Sequence, residues 1–305
     1  MSSTALPPEP LPAYQPRRLP WRQMLSIRGG RIAVTRWGES TRAPIVLLHG
    51  WMDCAAAYQL LADCLPEEWP LAALDWRGYG HSDDRADHYW LPENLADLEA
   101  VLAVLSPHAP ACLVGHSLGG TVASVYAGVR PERLAWLVNI EGFGLGRGPL
   151  NAAERMARWL DEQATLAPAV RYDSLDELAR RILRRHQGLR PDRARFLAWA
   201  WSRERDGHYE LAADPKHRLL QPLRLRREDI EECWARIRCP VLMLLGSQSE
   251  SLAHAGGQAQ LARWAGLMAG LELATIEGAG HMVQHEQPER AASHIERFVR
   301  RLAAA

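Results

Sequence analysis

The stretch Ala111-Cys112-Leu113-Val114-Gly115-His116-Ser117-Leu118-Gly119-Gly120 decides how this chain is read. An apolar run leads into Gly-x-Ser-x-Gly, and a helical pattern follows from Thr121 to Val129. Strand, tight turn and helix form the context in which such a serine becomes a candidate nucleophile. A serine held in that turn has a strained backbone, and its neighbours two positions away on each side must be nearly free of side chain. Gly115 and Gly119 meet that need, and Gly120 lets the helix lie close. The first helical N–H groups and the positive end of the helix dipole then point to where negative charge would develop. Ser117 is the candidate nucleophile, with the N–H of Leu118 as one oxyanion donor.

The rhythm around this stretch is that of a doubly wound α/β sheet. Upstream, Ser26 to Trp37 alternates about a Gly29-Gly30 turn, as an antiparallel edge hairpin would. Ile45-Val46-Leu47-Leu48 and Leu71-Ala72-Ala73-Leu74 are continuous apolar runs, as expected of strands buried on both faces. Helical patterns over Tyr58 to Cys64 and Leu95 to Leu105 alternate with them. Leu134 to Ile140, Val241 to Gly246 and Leu271 to Ile276 continue the series, and a last helix is expected from Pro288. Between residues 145 and 236 the rhythm breaks. Ser174 and Glu177 form a capping-box pattern ahead of Leu175, Leu178, Ile182 and Leu183, and Pro191 opens a further helix carrying Phe196, Trp199 and Trp201. This segment contains no clear buried strand and is expected to be a helical lid inserted into a core of residues 25–144 and 237–305. Trp199 and Trp201 are candidates to line an acyl pocket or to fix the lid to the core. Arg180, Arg181, Arg184 and Arg185 are expected to form a solvated face. Residues 1–24, with six prolines in the first twenty positions, read as a loose or surface-draped tail.

Composition narrows the function classes. In 305 residues, 36 Lys and Arg balance 36 Asp and Glu, which gives no support for a nucleic-acid partner. The five cysteines lack any Cys-x-x-Cys pair, so reduced thiols in a cytoplasmic setting are expected, without a disulfide frame or a metal site. No apolar stretch approaches the ~20 residues of a membrane span, and the first residues contain no secretory apolar segment.

A serine needs a base, and His281 follows the last strand in Glu277-Gly278-Ala279-Gly280-His281, at the sheet edge that carries the turn. His285, four residues on, reads as structural. His49-Gly50-Trp51 follows the central strand where the second oxyanion donor, the Trp51 N–H, is expected. His49, Gly50 and His116 are candidates to shape the substrate site.

Together with Asp75-Trp76-Arg77-Gly78-Tyr79-Gly80-His81-Ser82, these motifs resemble the α/β-hydrolase fold superfamily over residues 25–144 and 237–303. Asp206-Gly207-His208-Tyr209 and Asp214-Pro215 are similar to serine-hydrolase-like members of its lidded branch. The resemblance implies cleavage of a small-molecule ester without a cofactor. One departure stands out. The family's acid is most often an Asp after the strand ending here at Gly246, and this loop reads Ser247-Gln248-Ser249-Glu250-Ser251. In some lidded relatives the acid instead follows the strand after the elbow helix, which here ends at Glu141. Glu141 closes a rigid strand beside Gly142, so it is the expected triad acid, with Glu250 as the alternative. Dehalogenase and epoxide hydrolase chemistry would need an Asp in place of Ser117. Perhydrolase or C–C hydrolase chemistry could use the same triad, and a ligand receptor that has lost turnover is the rival from another class.

Overall fold

The computed structural model describes residues 10–84, 88–144 and 150–304. Chain order begins with a hairpin, β1 (Pro20–Ile27) and β2 (Gly30–Trp37), then β3 (Ile45–Leu48), α1 (Gln59–Ala62), β4 (Leu71–Leu74) and α2 (Leu91–Leu105). The elbow joins β5 (Ala111–His116) to α3 (Leu118–Val129), and β6 (Leu134–Ile140) follows. The middle of the chain holds α4 (Ala152–Ala164), β7 (Arg171–Tyr172), α5 (Leu175–Arg185), α6 (Pro191–Ala200), β8 (Ser202–Arg205), β9 (His208–Leu211) and α7 (Arg227–Trp234). The chain then runs through β10 (Val241–Gly246), α8 (Ser251–Ala255), α9 (Gly257–Leu267), β11 (Leu271–Ile276), α10 (Val283–Glu286) and α11 (Pro288–Ala304).

Eight strands form one sheet in the order β1-β2-β4-β3-β5-β6-β10-β11. The β1–β2 and β2–β4 pairs are antiparallel, and every other pair is parallel. Period-two alternation divides the buried strands between two cores. Val46, Leu48, Ala72 and Leu74 face α2, α3 and α9, while Ile45, Leu47, Leu71 and Ala73 face α1 and α11. Helices on both faces explain why these strands are apolar at every position.

The inserted segment departs from the helical expectation. Its β8–β9 hairpin turns at Asp206 and Gly207, both at positive φ (52° and 76°), and with β7 it makes a three-stranded antiparallel sheet. Asp-Gly is a strong two-residue hairpin signal, and here it overrides the helical reading of its flanks. The Ser174 cap holds: its hydroxyl accepts the Glu177 N–H, while the Glu177 carboxylate returns to the Asp173 N–H. Leu178 and Ile182 are buried, and Arg181, Arg184 and Arg185 are exposed.

Two boundaries also shift. α7, expected within the lid, lies against α3 so closely that a Cβ on Gly128 would stand 1.9 Å from the Cys233 carbonyl. Ile230 and Trp234 accordingly belong to the main core. Of the two expectations for the N-terminal segment, loose or surface-draped, its described part fits the second: residues 10–19 run over the surface and are anchored there. The buried Arg18 guanidinium donates to the carbonyls of Ala62, Pro66, Glu67 and Trp69, Asp63 accepts the Arg17 and Arg18 N–H groups, and β1 already begins at Pro20. Residues 1–9 lie outside the described residues.

Candidate active site

Sterics put Ser117 where the elbow motif requires. Its backbone is at φ 50° and ψ −111°, a conformation rarely adopted outside glycine. A Cβ on Gly115 would lie 2.5 Å from the Gly119 carbonyl oxygen, and one on Gly119 only 2.0 Å from that of Leu48. Either side chain would force the turn open. The buried Asn139 ties the elbow helix to the end of β6: its amide donates to Ser124 Oγ and the Gly142 carbonyl, and its Oδ1 accepts the Gly142 N–H.

That staple shapes the turn in which Glu141 sits, itself at φ 55°. Its carboxylate is fully buried and lies beside His281. Glu141 Oε1 accepts the Gly246 N–H at 2.7 Å. Oε2 accepts the Ser249 hydroxyl at 2.5 Å and faces His281 Nδ1 at 3.1 Å. A carboxylate only accepts, so Nδ1 carries the ring proton and Nε2 is left with its lone pair. Nε2 faces Ser117 Oγ at 3.0 Å. Ser251 Oγ also stands 3.0 Å from Nδ1. Ser249, at the position where the usual acid would fall, thus donates to a carboxylate that arrives from the neighbouring strand. Glu250 is exposed and makes no bond to His281 among the described residues.

A cavity of about 390 Å³ opens over this row, lined by Trp51, Leu118, Thr121, Phe143, Gly144 and Ala255 beside Ser117, Glu141, Ser251, His254 and His281. Trp51 and Leu118 therefore line the same cavity as the serine. Gly50 is close behind, for a Cβ there would stand 3.2 Å from Ser117 Cβ.

Other expected site residues sit elsewhere. His49 is fully buried; its Nε2 accepts the Trp76 N–H at 3.1 Å, so Nδ1–H donates to the Gly50 carbonyl at 2.7 Å. His116 is buried too and donates through Nε2 to the His281 carbonyl at 3.0 Å. Burial pushes both imidazoles below the ordinary histidine pKa, and neither lines the cavity. They support loops in place of contacting substrate. Asp75 holds its own turn, accepting the Ala55 and His81 N–H groups.

The two tryptophans are not part of the cavity wall. Trp199 is 57% exposed and borders a separate groove with Trp21, Trp37 and Phe196. The Trp201 indole N–H donates to Asp53 Oδ1 at 2.6 Å. Both lie on α6 or its end, which packs over the 3-10 turn Ala55–Tyr58 that follows the loop after β3. Sequence reasoning missed Phe143, Thr121 and His254 as lining residues, Ser249 and Ser251 as hydrogen-bond partners of Glu141 and His281, and Asp53 as a partner of His285. A Phe two positions past Glu141 is a readable signal for the first; the others depend on loops meeting in space.

Among the described residues no helix is long and apolar enough to cross a membrane. Comparison with known proteins places the chain among similar folds. A family model described as alpha/beta hydrolase fold matches residues 43–288. The serine hydrolase-like protein of Danio rerio is 34% identical over 110 residues, covering 35% of this chain and 33% of that protein. The lipase LipV of Mycobacterium tuberculosis is 36% identical over 110 residues, covering 35% of this chain and 40% of the relative. The chain thus spans well under half the length of either. A solved thioesterase domain from the curacin biosynthetic pathway superposes with a TM-score of 0.81 at 23% identity, covering 91% of this chain and 99% of that one, a likeness of fold.

Proposed function

The chain belongs to the α/β-hydrolase fold family, and on that premise we propose that it is a serine hydrolase cleaving carboxylic esters through an acyl-enzyme on Ser117. The observation that carries the reading is the unbroken row Glu141 Oε2, His281 Nδ1 and Nε2, Ser117 Oγ, with spacings of 3.1 and 3.0 Å. Ser117 Oγ attacks the ester carbonyl as His281 Nε2 takes its proton. The buried Glu141 carboxylate stabilises the imidazolium, which then protonates the departing alkoxide. The N–H groups of Leu118 and Trp51 are assigned to the oxyanion, and water, deprotonated by His281, releases the acid.

The cavity supports a choice of substrate. Trp51, Leu118, Phe143 and Ala255 supply an apolar wall, and neither Lys nor Arg is among the described lining residues. A volume of about 390 Å³ suits a neutral ester of modest acyl length. The inserted residues from Asn151 to β9 are assigned as a cap that covers the oxyanion loop. Names carried by relatives, a serine hydrolase-like protein and a lipase, agree with this reading.

The test pairs a fluorophosphonate probe with p-nitrophenyl esters of increasing chain length. The wild type should be labelled and turn over short esters, and Ser117→Ala should do neither. A folded wild-type protein that resists the probe would refute the hydrolase reading and leave a non-catalytic receptor.

A further inference from the structure

The residues just past Trp51 are held by side chains from distant parts of the chain, and this arrangement has no direct role in the proton relay. Asp53 is two residues beyond the assigned oxyanion donor, and its side chain is only 1% exposed. Its Oδ1 accepts the Trp201 indole N–H at 2.6 Å and the Cys54 N–H at 2.8 Å. Its Oδ2 faces His285 Nε2 at 3.0 Å. His285 is on α10, four residues past His281, and is equally buried. Among the described residues its Nδ1 has no hydrogen-bond partner, so Asp53 is the polar group that fixes this ring. Trp201 belongs to the inserted segment, at the end of α6.

A second indole makes the matching contact in the opposite direction. Trp51 Nε1–H donates at 2.9 Å to the carbonyl of His217, just beyond β9. Between the two anchors Met52 is at φ 58°, a left-handed conformation that a methionine keeps only when both sides are fixed.

We infer that Asp53 is a positioning residue: clamped between Trp201 of the inserted segment and His285 behind the histidine loop, it sets the oxyanion loop at Trp51 in register with His281. The inference rests on the hydrolase reading and extends it by giving the inserted segment a part in the chemistry beyond covering the site. A carboxylate suits the position because all three neighbours, the Trp201 indole, the Cys54 N–H and His285 Nε2, are donors. Burial, the largest single influence, pushes the Asp53 carboxyl up, but the charge and hydrogen bond of His285, with smaller contributions from His49 and His116, together hold the group below the ordinary carboxylate range. An oxyanion donor displaced by a fraction of an ångström loses its hydrogen bond to the transition state while ground-state binding changes little.

The experiment compares wild type, Asp53→Ala, Trp201→Phe and the double variant. Turnover is counted per serine titrated with the fluorophosphonate, which removes any effect of a misfolded fraction. Affinity for an aryl boronic acid, whose tetrahedral adduct on Ser117 uses the oxyanion donors, is measured alongside. Asp53→Ala should lose about a hundredfold in kcat and in boronate affinity together, with KM within threefold. Trp201→Phe, which removes one of the three bonds, should lose about tenfold in both, and the double variant should match Asp53→Ala within twofold. Wild-type turnover per titrated serine, or lost turnover with unchanged boronate affinity, would overturn the inference. Should Asp53→Ala not fold, Trp201→Phe decides by the same criteria. An unlabelled wild type would overturn the hydrolase reading and this inference with it, whereas a labelled wild type with indifferent variants refutes the positioning role alone.

Discussion

Replacing Glu141 with glutamine changes one atom and should stop the proton relay. The Gly246 N–H, 2.7 Å from Oε1, is a backbone donor that cannot turn away, so the amide must present its carbonyl there. Its NH2 is then forced to the place of Oε2, where Ser249 Oγ and His281 Nδ1 now meet a donor. Nδ1 can answer only by giving up its proton and accepting. The ring proton moves to Nε2, which then faces Ser117 Oγ with a hydrogen where a lone pair is needed. Loss of the acid through the wrong tautomer costs about 10⁴ in kcat in other triads, equivalent to about 5.5 kcal/mol at about 1.4 kcal/mol per decade. The side chain is fully buried and the replacement is isosteric, so thermal unfolding should change far less than turnover. Steady-state hydrolysis of a p-nitrophenyl ester, with active serines counted by burst titration, measures the effect. Glu250→Gln should stay within twofold of wild type, because Glu250 is exposed. Ser249→Ala should lose roughly tenfold, since it removes the 2.5 Å donor that fixes Oε2. A folded Glu141→Gln protein with more than about a tenth of wild-type kcat would refute the tautomer argument. A larger loss in Glu250→Gln than in Glu141→Gln would place the acid in the other loop.

Ser117→Ala should remove probe labelling and lower ester turnover by on the order of 10⁵- to 10⁶-fold with the fold intact, and retention of a tenth of the rate would exclude an acyl-enzyme on this serine. Phe143→Ala should shift the preferred acyl chain to longer esters, because Phe143 lines the cavity, whereas Trp199→Ala should leave the profile unchanged. The opposite pattern would move the acyl site to the Trp199 groove. His217, half-buried and stacked on Tyr79 and Tyr89 with centroids 3.8 Å away in each case, is pushed down to about 3 by desolvation. The unfolded chain, with an ordinary histidine pKa near about 6.5, binds the extra proton first, so stability falls as pH drops from there toward about 3. The wild type should therefore lose up to about 1.4 kcal/mol more per pH unit than His217→Gln in urea melts between about pH 6 and 4. Parallel curves for the two proteins would show that His217 takes up its proton as readily folded as unfolded.

The sequence by itself determined whatever is local. Unbroken apolar runs bounded by turns announced β3, β4 and β10, since a strand buried on both faces leaves little room for polar positions. Gly115, Gly119 and Gly120 marked the elbow because only glycine clears carbonyl oxygens 2.0 to 2.9 Å from a Cβ. The family's chain order singled out His281, and the rigid end of β6 singled out Glu141. Only tertiary structure decided the rest, because each remaining decision depends on which loops come together. Ser249 and Ser251 became partners of Glu141 and His281 when the turn after β10 met those after β6 and β11. Trp199 and Trp201 differ by two positions on one helix, yet one borders a groove near the N-terminal segment and the other grips Asp53. Aromatic residues signal burial or contact and carry no direction. Asp53 and His285 are 232 positions apart, and no spacing rule connects them. Their meeting is a product of strand order, which brings the ends of β3 and β11 to the same edge of the sheet and the loops beyond them into contact.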